Sequence, residues 1–330
     1  MEQQENNIIV RSIGVLTSGG DAPGMNAVIR GVVRAGSAKG LKVYGVKNGY
    51  TGLINGEFEL LGKRDVSNIL HRGGTVLGSD RSPEMKTQKG QREAIRMMNN
   101  IGIDCLIVCG GDGTMTGGNA LFEQGFPVIG IPGTIDNDVW GTSTCVGVDT
   151  ALNTITEAID KIRDTAASHR RAYIIETMGR DCGYLAIQSA IVSGGECVLI
   201  PENPISIEEV ADTIENAYKR GKKHCIVLMA EGYPLKLDEV VRQLDAMDLG
   251  FTARGINLSS VQRGGSPSAF DRILASRMAF TAVDWAINNQ FGVMTALRSD
   301  TMTPVPLKDV IGKHRELNLQ YMEISNVLSR

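Results

Sequence analysis

The chain has 330 residues, 42% hydrophobic and 22% charged, which suits about two globular domains with ample core. A formal net charge of −3 excludes a protein that coats nucleic acid or anionic lipid, and leaves only a local arginine pocket for a small anion. Six cysteines without a CxxC pair and four histidines without ligand spacing argue against a disulfide framework and a zinc site. Residues 1–7 are polar and acidic, so they read as neither signal nor transit peptide, and no apolar run reaches membrane-spanning length. A cytoplasmic protein with buried free thiols is expected.

Residues 8–17 are strand-like and run into Ser18-Gly19-Gly20-Asp21-Ala22-Pro23-Gly24, after which 25–38 has helical periodicity. Strand, glycine turn and helix aim backbone N–H groups at phosphate, with Asp21 or Ser18 available to anchor the turn. The turn lacks the Lys-Ser/Thr pair of a Walker A loop and the glycine spacing of a dinucleotide fingerprint. Residues 41–46 read as a strand, 65–71 as a short helix and 72–81 as a glycine-rich loop. A charged helix at 88–100 leads to a strand at 103–108, apolar on both faces as a parallel sheet requires, which ends in Gly110-Gly111-Asp112-Gly113-Thr114.

The apolar run 126–131 ends abruptly in Pro132-Gly133-Thr134-Ile135-Asp136-Asn137-Asp138. A buried strand emptying into such a loop places Asp136 and Asp138 at the carboxyl edge of a sheet, where ligands bind in open α/β folds. Helix 151–166 carries the stripe Leu152, Ile155, Ile159 and Ile162, with Lys161 and Arg163 on a solvated face. Strands at 172–177, 197–200 and 225–229 and a helix at 207–219 follow, then Gln262-Arg263-Gly264-Gly265-Ser266-Pro267 and a long helix through Leu274, Met278, Ala282 and Trp285. The last thirty residues read as helix-prone, without legible chemistry. Alternating strands and helices predict an α/β fold with mostly parallel, helix-covered sheets.

The strand ends collect glycine turns, the carboxylates Asp112, Asp136 and Asp138, and arginines at Arg72, Arg81, Arg171, Arg180, Arg254 and Arg263. Carboxylates for magnesium, glycine backbone for phosphates and arginines for a transferring phosphoryl group are the parts of phosphoryl transfer. Each arginine alone is more often a surface ion pair, and each aspartate an ordinary turn residue. No Ser, Cys or His has an evident activating partner, so covalent catalysis finds no support.

Residues 13–34, 72–81, 102–138, 157–183 and 254–277 resemble the bacterial ATP-dependent 6-phosphofructokinases, and the Gly-Gly-Asp-Gly and Pro-Gly-Thr-Ile-Asp-Asn-Asp motifs together are specific to them. The resemblance weakens only over about the last fifth of the chain. It implies two three-layer α/β/α (Rossmann-like) domains, each discontinuous in sequence. An ATP-binding domain would hold 1–146 and about 262–310, and a fructose-6-phosphate-binding domain about 147–261 and 311–330. It further implies that Asp136 is the general base for the sugar 1-hydroxyl, with Thr134 and Arg180 stabilising the transferring group. Asp112 would hold Mg2+, supported by Asp138. ATP would lie on Gly20, Arg81, Ser82, Gly111, Asp112, Gly113 and Thr114. Fructose 6-phosphate would meet Thr134, Asp136, Met178, Gly179, Arg180, Glu231, Ser260 and Arg263, joined by Arg171 and Arg254 of a neighbouring subunit in a homotetramer. An effector site for ADP or phosphoenolpyruvate would use Arg30, Arg34, Lys63, Arg163, Gly194, Glu196, Arg220, Lys222 and His224.

Two positions depart from the family pattern. Lys63 stands where arginine is common, and Ser260 where a histidine usually meets the sugar phosphate, which predicts a raised KM with chemistry intact. Three other readings compete. Pyrophosphate-using relatives tend to carry Asp at the position of Gly113 and Lys at that of Gly133; glycine at both favours ATP. NAD and lipid kinases share the Gly-Gly-Asp-Gly-Thr turn but lack the Asp136 loop and the 262–267 segment. A catalytically weak regulatory paralogue that binds nucleotide is disfavoured by the intact Asp112, Asp136, Asp138 and Arg180.

Overall fold

The computed structural model describes residues 8–169 and 171–329; the polar start at 1–7 lies outside the described residues. In chain order the elements are β1 (Ser12–Thr17), α1 (Met25–Ala38), β2 (Lys42–Val46), α2 (Gly49–Asn55), β3 (Phe58–Leu61), α3 (Gln88–Ile101), β4 (Cys105–Gly110), α4 (Asp112–Glu123), β5 (Val128–Pro132) and α5 (Val148–His169). There follow β6 (Arg171–Thr177), α6 (Tyr184–Ser193), β7 (Cys197–Leu199), α7 (Ile207–Lys219), β8 (Cys225–Ala230), α8 (Leu237–Ala246) and β9 (Thr252–Asn257). The last are α9 (Ala269–Ile287), β10 (Val293–Arg298), β11 (Thr301–Pro306), α10 (Leu307–Val310) and α11 (Gln320–Leu328).

The chain divides into two units. Unit 1 holds Met1–Ile135, Val139–Asp149 and Arg263–Arg315; unit 2 holds Asp136–Asp138, Thr150–Gln262 and Glu316–Arg330. Unit 1 is built on a seven-stranded sheet in the order β11-β10-β5-β4-β1-β2-β3, parallel except at β2–β3 and β10–β11. From β1 the chain crosses outward to β2, and from β4 it crosses the other way to β5. The crevice beyond the carboxyl ends of β1 and β4 is therefore the switch point at which such sheets bind ligands. Register puts Thr17 beside Cys109 and Gly110 beside Pro132, so these strand ends finish level. β1, β4 and β5 are buried along their whole length, the burial that their continuous apolar runs anticipate. α1 packs on α9 at close range, since a Cβ on Gly31 would come 2.6 Å from that of Ala279.

Unit 2 has a four-stranded, fully parallel sheet in the order β7-β8-β6-β9. Its core joins Ile174, Val227 and Met229 of the sheet to Val210 and Ile214 of α7 and Val240 and Leu244 of α8. α7 starts at a capping box in which Ser206 and Glu209 satisfy each other's backbone N–H.

Two expectations are corrected. Residues 65–71 form consecutive turns rather than a helix. The Asp65 carboxylate accepts the Gly62 N–H, and Gly73-Gly74 follow, so too few residues remain to nucleate a helix. The last thirty residues are not uniformly helical, because Thr301–Pro306 is an edge strand, where Pro304 and Pro306 cost no ladder bond on the open side. The two-residue turn Ser299-Asp300, both at positive φ (44° and 62°), returns it along β10. All six cysteines are buried, with Cys109 pushed up to about 12 by burial. Among the described residues, no helix is long and apolar enough to cross a membrane.

Candidate active site

In unit 1 the turns after β1 and β4 support each other. Ser18 N donates to the Cys109 carbonyl (3.0 Å), and Thr114 Oγ1 donates to the Ser18 carbonyl (3.1 Å). A Cβ on Gly110 would run into both the Ser18 carbonyl and Thr114 Oγ1, so only glycine lets the turns stack. α1 starts at Gly24 with no side-chain cap, so Ser18 and Asp21 tie down the turn before it and not the helix itself. The Ser18 hydroxyl instead donates to the Asp80 carbonyl (3.3 Å), and the Asp21 carbonyl accepts Arg263 Nη1 (3.1 Å). The Arg263 guanidinium covers Gly20, where a Cβ would stand 2.5 Å from Nη1.

Asp112 opens α4, and the α4 N-cap Gly111 faces Thr134. Thr134 (7% exposed) and Thr114 are buried, whereas a Cβ on Gly113 would meet nothing within 4 Å. That opening lies beside the first turn of α4, whose N–H groups and dipole favour an anion. Asp112 Oδ2 lies 3.1 Å from His314 Nδ1, and a β-bridge between Val139 and His314 brings that histidine in. Arg81 is exposed and Ser82 partly so; Asp80 orders their loop by accepting Arg81 N (2.7 Å) and Thr51 Oγ1 (2.9 Å).

In unit 2, Asp136 is buried to 1% exposure and Asp138 to 8%, on either side of Asn137 at φ 54°. Arg180 Nε lies 3.3 Å from Asp136 Oδ2. Gly179 (φ 138°) and Arg180 (φ 53°) both have left-handed backbone, which glycine adopts freely and arginine does not. The turn is held by Glu231, whose Oε1 accepts the N–H of Arg180 (2.7 Å) and of Gly179 (3.2 Å). Glu231 also faces Glu176, whose carboxyl is raised by burial and then by that neighbouring charge. Met178, Gly179, Arg180 and Glu231 therefore form one group with Asp136.

Arg171 and Arg254 do not join it. Arg171 begins β6 and Met178 follows its end, so they lie seven steps apart along the strand, about 23 Å at ~3.3 Å per residue. Arg254 pairs in register with Tyr173, toward the same amino end. Ser260 is exposed on the 3₁₀ turn Ser259–Arg263.

Of the nine residues expected at an effector site, several converge in unit 2. Arg163 donates to the Ser193 carbonyl beside Gly194, and its Nη1 lies 3.5 Å from His224 Nε2. Lys222 Nζ donates to Glu196 Oε1 (3.1 Å) and to the Ser329 carbonyl (2.9 Å), while Glu196 Oε2 accepts Ile226 N (2.6 Å). Arg163 is thus not part of a freely solvated face. His224 is lowered by burial, and by Arg163 and Lys222 against the opposing pull of Glu196. Arg220 ends α7, exposed. In unit 1, Arg30 is lowered by burial and by the charge of Arg34, and Lys63 is exposed. His314 had no sequence signal: it is a lone polar residue whose partner, Asp112, is distant in the chain.

The family model described as Phosphofructokinase matches residues 12–286, and the chain belongs to that family. It is 47% identical to the ATP-dependent 6-phosphofructokinase of Natranaerobius thermophilus over 322 residues, 97% of this chain and all of that one. It is 46% identical to the ATP-dependent 6-phosphofructokinase of Oceanobacillus iheyensis over 320 residues, again 97% of this chain and all of the relative. Among solved structures it is similar to phosphofructokinase from Pichia pastoris in the T state, with TM-score 0.85 and 35% identity over 91% of this chain and 35% of that chain. It thus spans about a third of that larger subunit.

Proposed function

We propose that the chain transfers the γ-phosphoryl group of ATP to the 1-hydroxyl of fructose 6-phosphate, with Asp136 as the general base. The observation that carries this reading is the buried Asp136 carboxylate with Arg180 Nε 3.3 Å away, in a chain that matches the family over nearly its whole length. Asp136 takes the hydroxyl proton as the oxygen attacks. Arg180 and Thr134 neutralise and orient the transferring group, and Asp138 supports the site.

The stacked turns of unit 1 suit the nucleotide. Gly20, Arg81, Ser82 and Gly111 to Thr114 line that half, and the open space over Gly113 leaves room for the phosphates. Asp112 offers a hard carboxylate oxygen beside that opening, a donor that fits Mg2+; it would hold the ion, which would supply positive charge against the phosphates. Met178, Gly179, Glu231, Ser260 and Arg263 serve the sugar phosphate. Arg171 and Arg254 lie toward the amino end of their own sheet, which supports their serving a neighbouring subunit's site in a homotetramer. The Arg163, Lys222, His224 and Glu196 cluster suits a phosphorylated effector such as ADP or phosphoenolpyruvate, with Gly194 and Arg220 and with Arg30, Arg34 and Lys63. The setting is cytoplasmic glycolysis.

A coupled assay with fructose 6-phosphate and Mg2+, run in parallel with ATP and with pyrophosphate, tests the donor. Turnover with ATP alone is expected. Turnover with pyrophosphate would overturn the reading of Gly113 and Gly133. No turnover with either, in folded protein that binds ATP, would favour the regulatory paralogue.

A further inference from the structure

We infer that Gln262 is a positioning residue for sugar-phosphate binding, clamping the Met178 turn to the 3₁₀ turn that carries Ser260. The inference rests on assigning those two turns to the substrate. Gln262 is 0% exposed. Its Oε1 accepts the N–H of Met178 at 3.1 Å, and its Nε2 donates to the Ser259 carbonyl at 3.0 Å. Met178 lies one residue past the last β6–β8 pair, Thr177 with Ala230, and two past the last β6–β9 pair, Glu176 with Asn257. Its N–H is thus beyond the ladder and takes its bond from a side chain 84 residues away.

Ser259 has left-handed backbone at φ 45°, held from both sides: its N–H donates to Asn257 Oδ1 (2.7 Å) and its carbonyl accepts from Gln262. A group that accepts on one edge and donates on the other is the particular property of a carboxamide; a carboxylate only accepts, and a thioether does neither well. Gln262 is also the last residue of unit 2. The next residue, Arg263, is bonded inside unit 1, to the Asp21 carbonyl. The bonds that stack the glycine turns of unit 1 do not involve Gln262. Loosening Gln262 should therefore be felt at the sugar phosphate and not at the nucleotide.

The test uses the full chain with Gln262→Met, which keeps volume and loses both bonds, and Gln262→Glu, which keeps only the acceptor for Met178. KM for fructose 6-phosphate, KM for ATP, kcat and the melting temperature are measured on each. Gln262→Met is expected to raise KM for fructose 6-phosphate about tenfold, with kcat within about threefold and KM for ATP within about twofold. Gln262→Glu should show a smaller rise. An unchanged KM for fructose 6-phosphate, even with a lower melting temperature, would reduce Gln262 to a structural side chain and overturn the proposal. An equal rise in both KM values would overturn it too. If Gln262→Met does not fold, Gln262→Glu decides by the same criterion. A parent protein without turnover on fructose 6-phosphate overturns the functional assignment and the proposal with it; an active parent with unaffected variants overturns the proposal alone.

Discussion

In unit 1 the turns after β1 and β4 lean on each other through backbone groups and one short side chain, with glycine wherever a Cβ would intrude. In unit 2 the 178–180 turn hangs from two long side chains, Glu231 at 52 residues' separation and Gln262 at 84. The first device places N–H groups without side-chain freedom to lose, which suits phosphates that any nucleotide presents. The second holds a left-handed arginine beside Asp136 by side chains that can be altered one at a time. A turn held by backbone is hard to perturb by point substitution, and a turn held by side chains is easy to tune.

The sharpest way to test that contrast is Asp136→Asn. It should lower kcat by about a thousandfold and leave KM for fructose 6-phosphate within a few-fold, because the turn proposed to bind sugar is held by Glu231 and Gln262. Retention of more than about a tenth of kcat would remove Asp136 from the role of base. Next in size is Gly113→Asp. Nothing lies within 4 Å of the new Cβ, and an acidic residue in the first turn of α4 favours the helix. The melting temperature should hold or rise while KM for ATP increases at least about tenfold as the side chain fills the phosphate space. An unchanged KM would show that the opening over Gly113 is not used.

A smaller effect is expected of Ser260→His, which adds a donor on the side-chain-built half. KM for fructose 6-phosphate should fall about five- to tenfold, as a bond worth ~1–3 kcal/mol to a charged group allows. No change would mean that the exposed Ser260 turn does not reach the substrate. The smallest concerns pH. Burial holds the His224 imidazolium below its ordinary value of 6.5, so the folded state binds the proton less readily than the unfolded chain. That contribution to stability is fully present above 6.5 and is lost as pH falls through the lowered folded-state value. Melting temperature measured from pH 8 to 5 should drop less steeply in His224→Asn than in the parent, and parallel curves would contradict the shift.

Much of unit 1 was legible because its signals are local. Strand, glycine run and helix follow one another directly, and α1 runs over Met25–Ala38 as the periodicity places it. Gly110 to Thr114 and the Asp136 loop likewise announce themselves by composition where a buried strand ends. The misreadings fell where local propensity was weak: residues 65–71, turned by the Asp65 side chain, and Thr301–Pro306, recruited as an edge strand by β10. For Arg254, only sheet register shows that it lies beside Tyr173, toward the amino end of β6.

By itself, then, the sequence determined the alternation of strands and helices, the glycine turns and the two aspartates of the Asp136 loop, because hydrophobic period and backbone sterics act over a few residues. The tertiary structure decided that Glu231 and Gln262 hold the 178–180 turn and that His314 meets Asp112. It also decided that Arg163 and Lys222 are fastened to the Ser193 and Ser329 carbonyls. Those are hydrogen bonds and ion pairs between residues brought together only by the packing of distant elements, and no spacing along the chain encodes them.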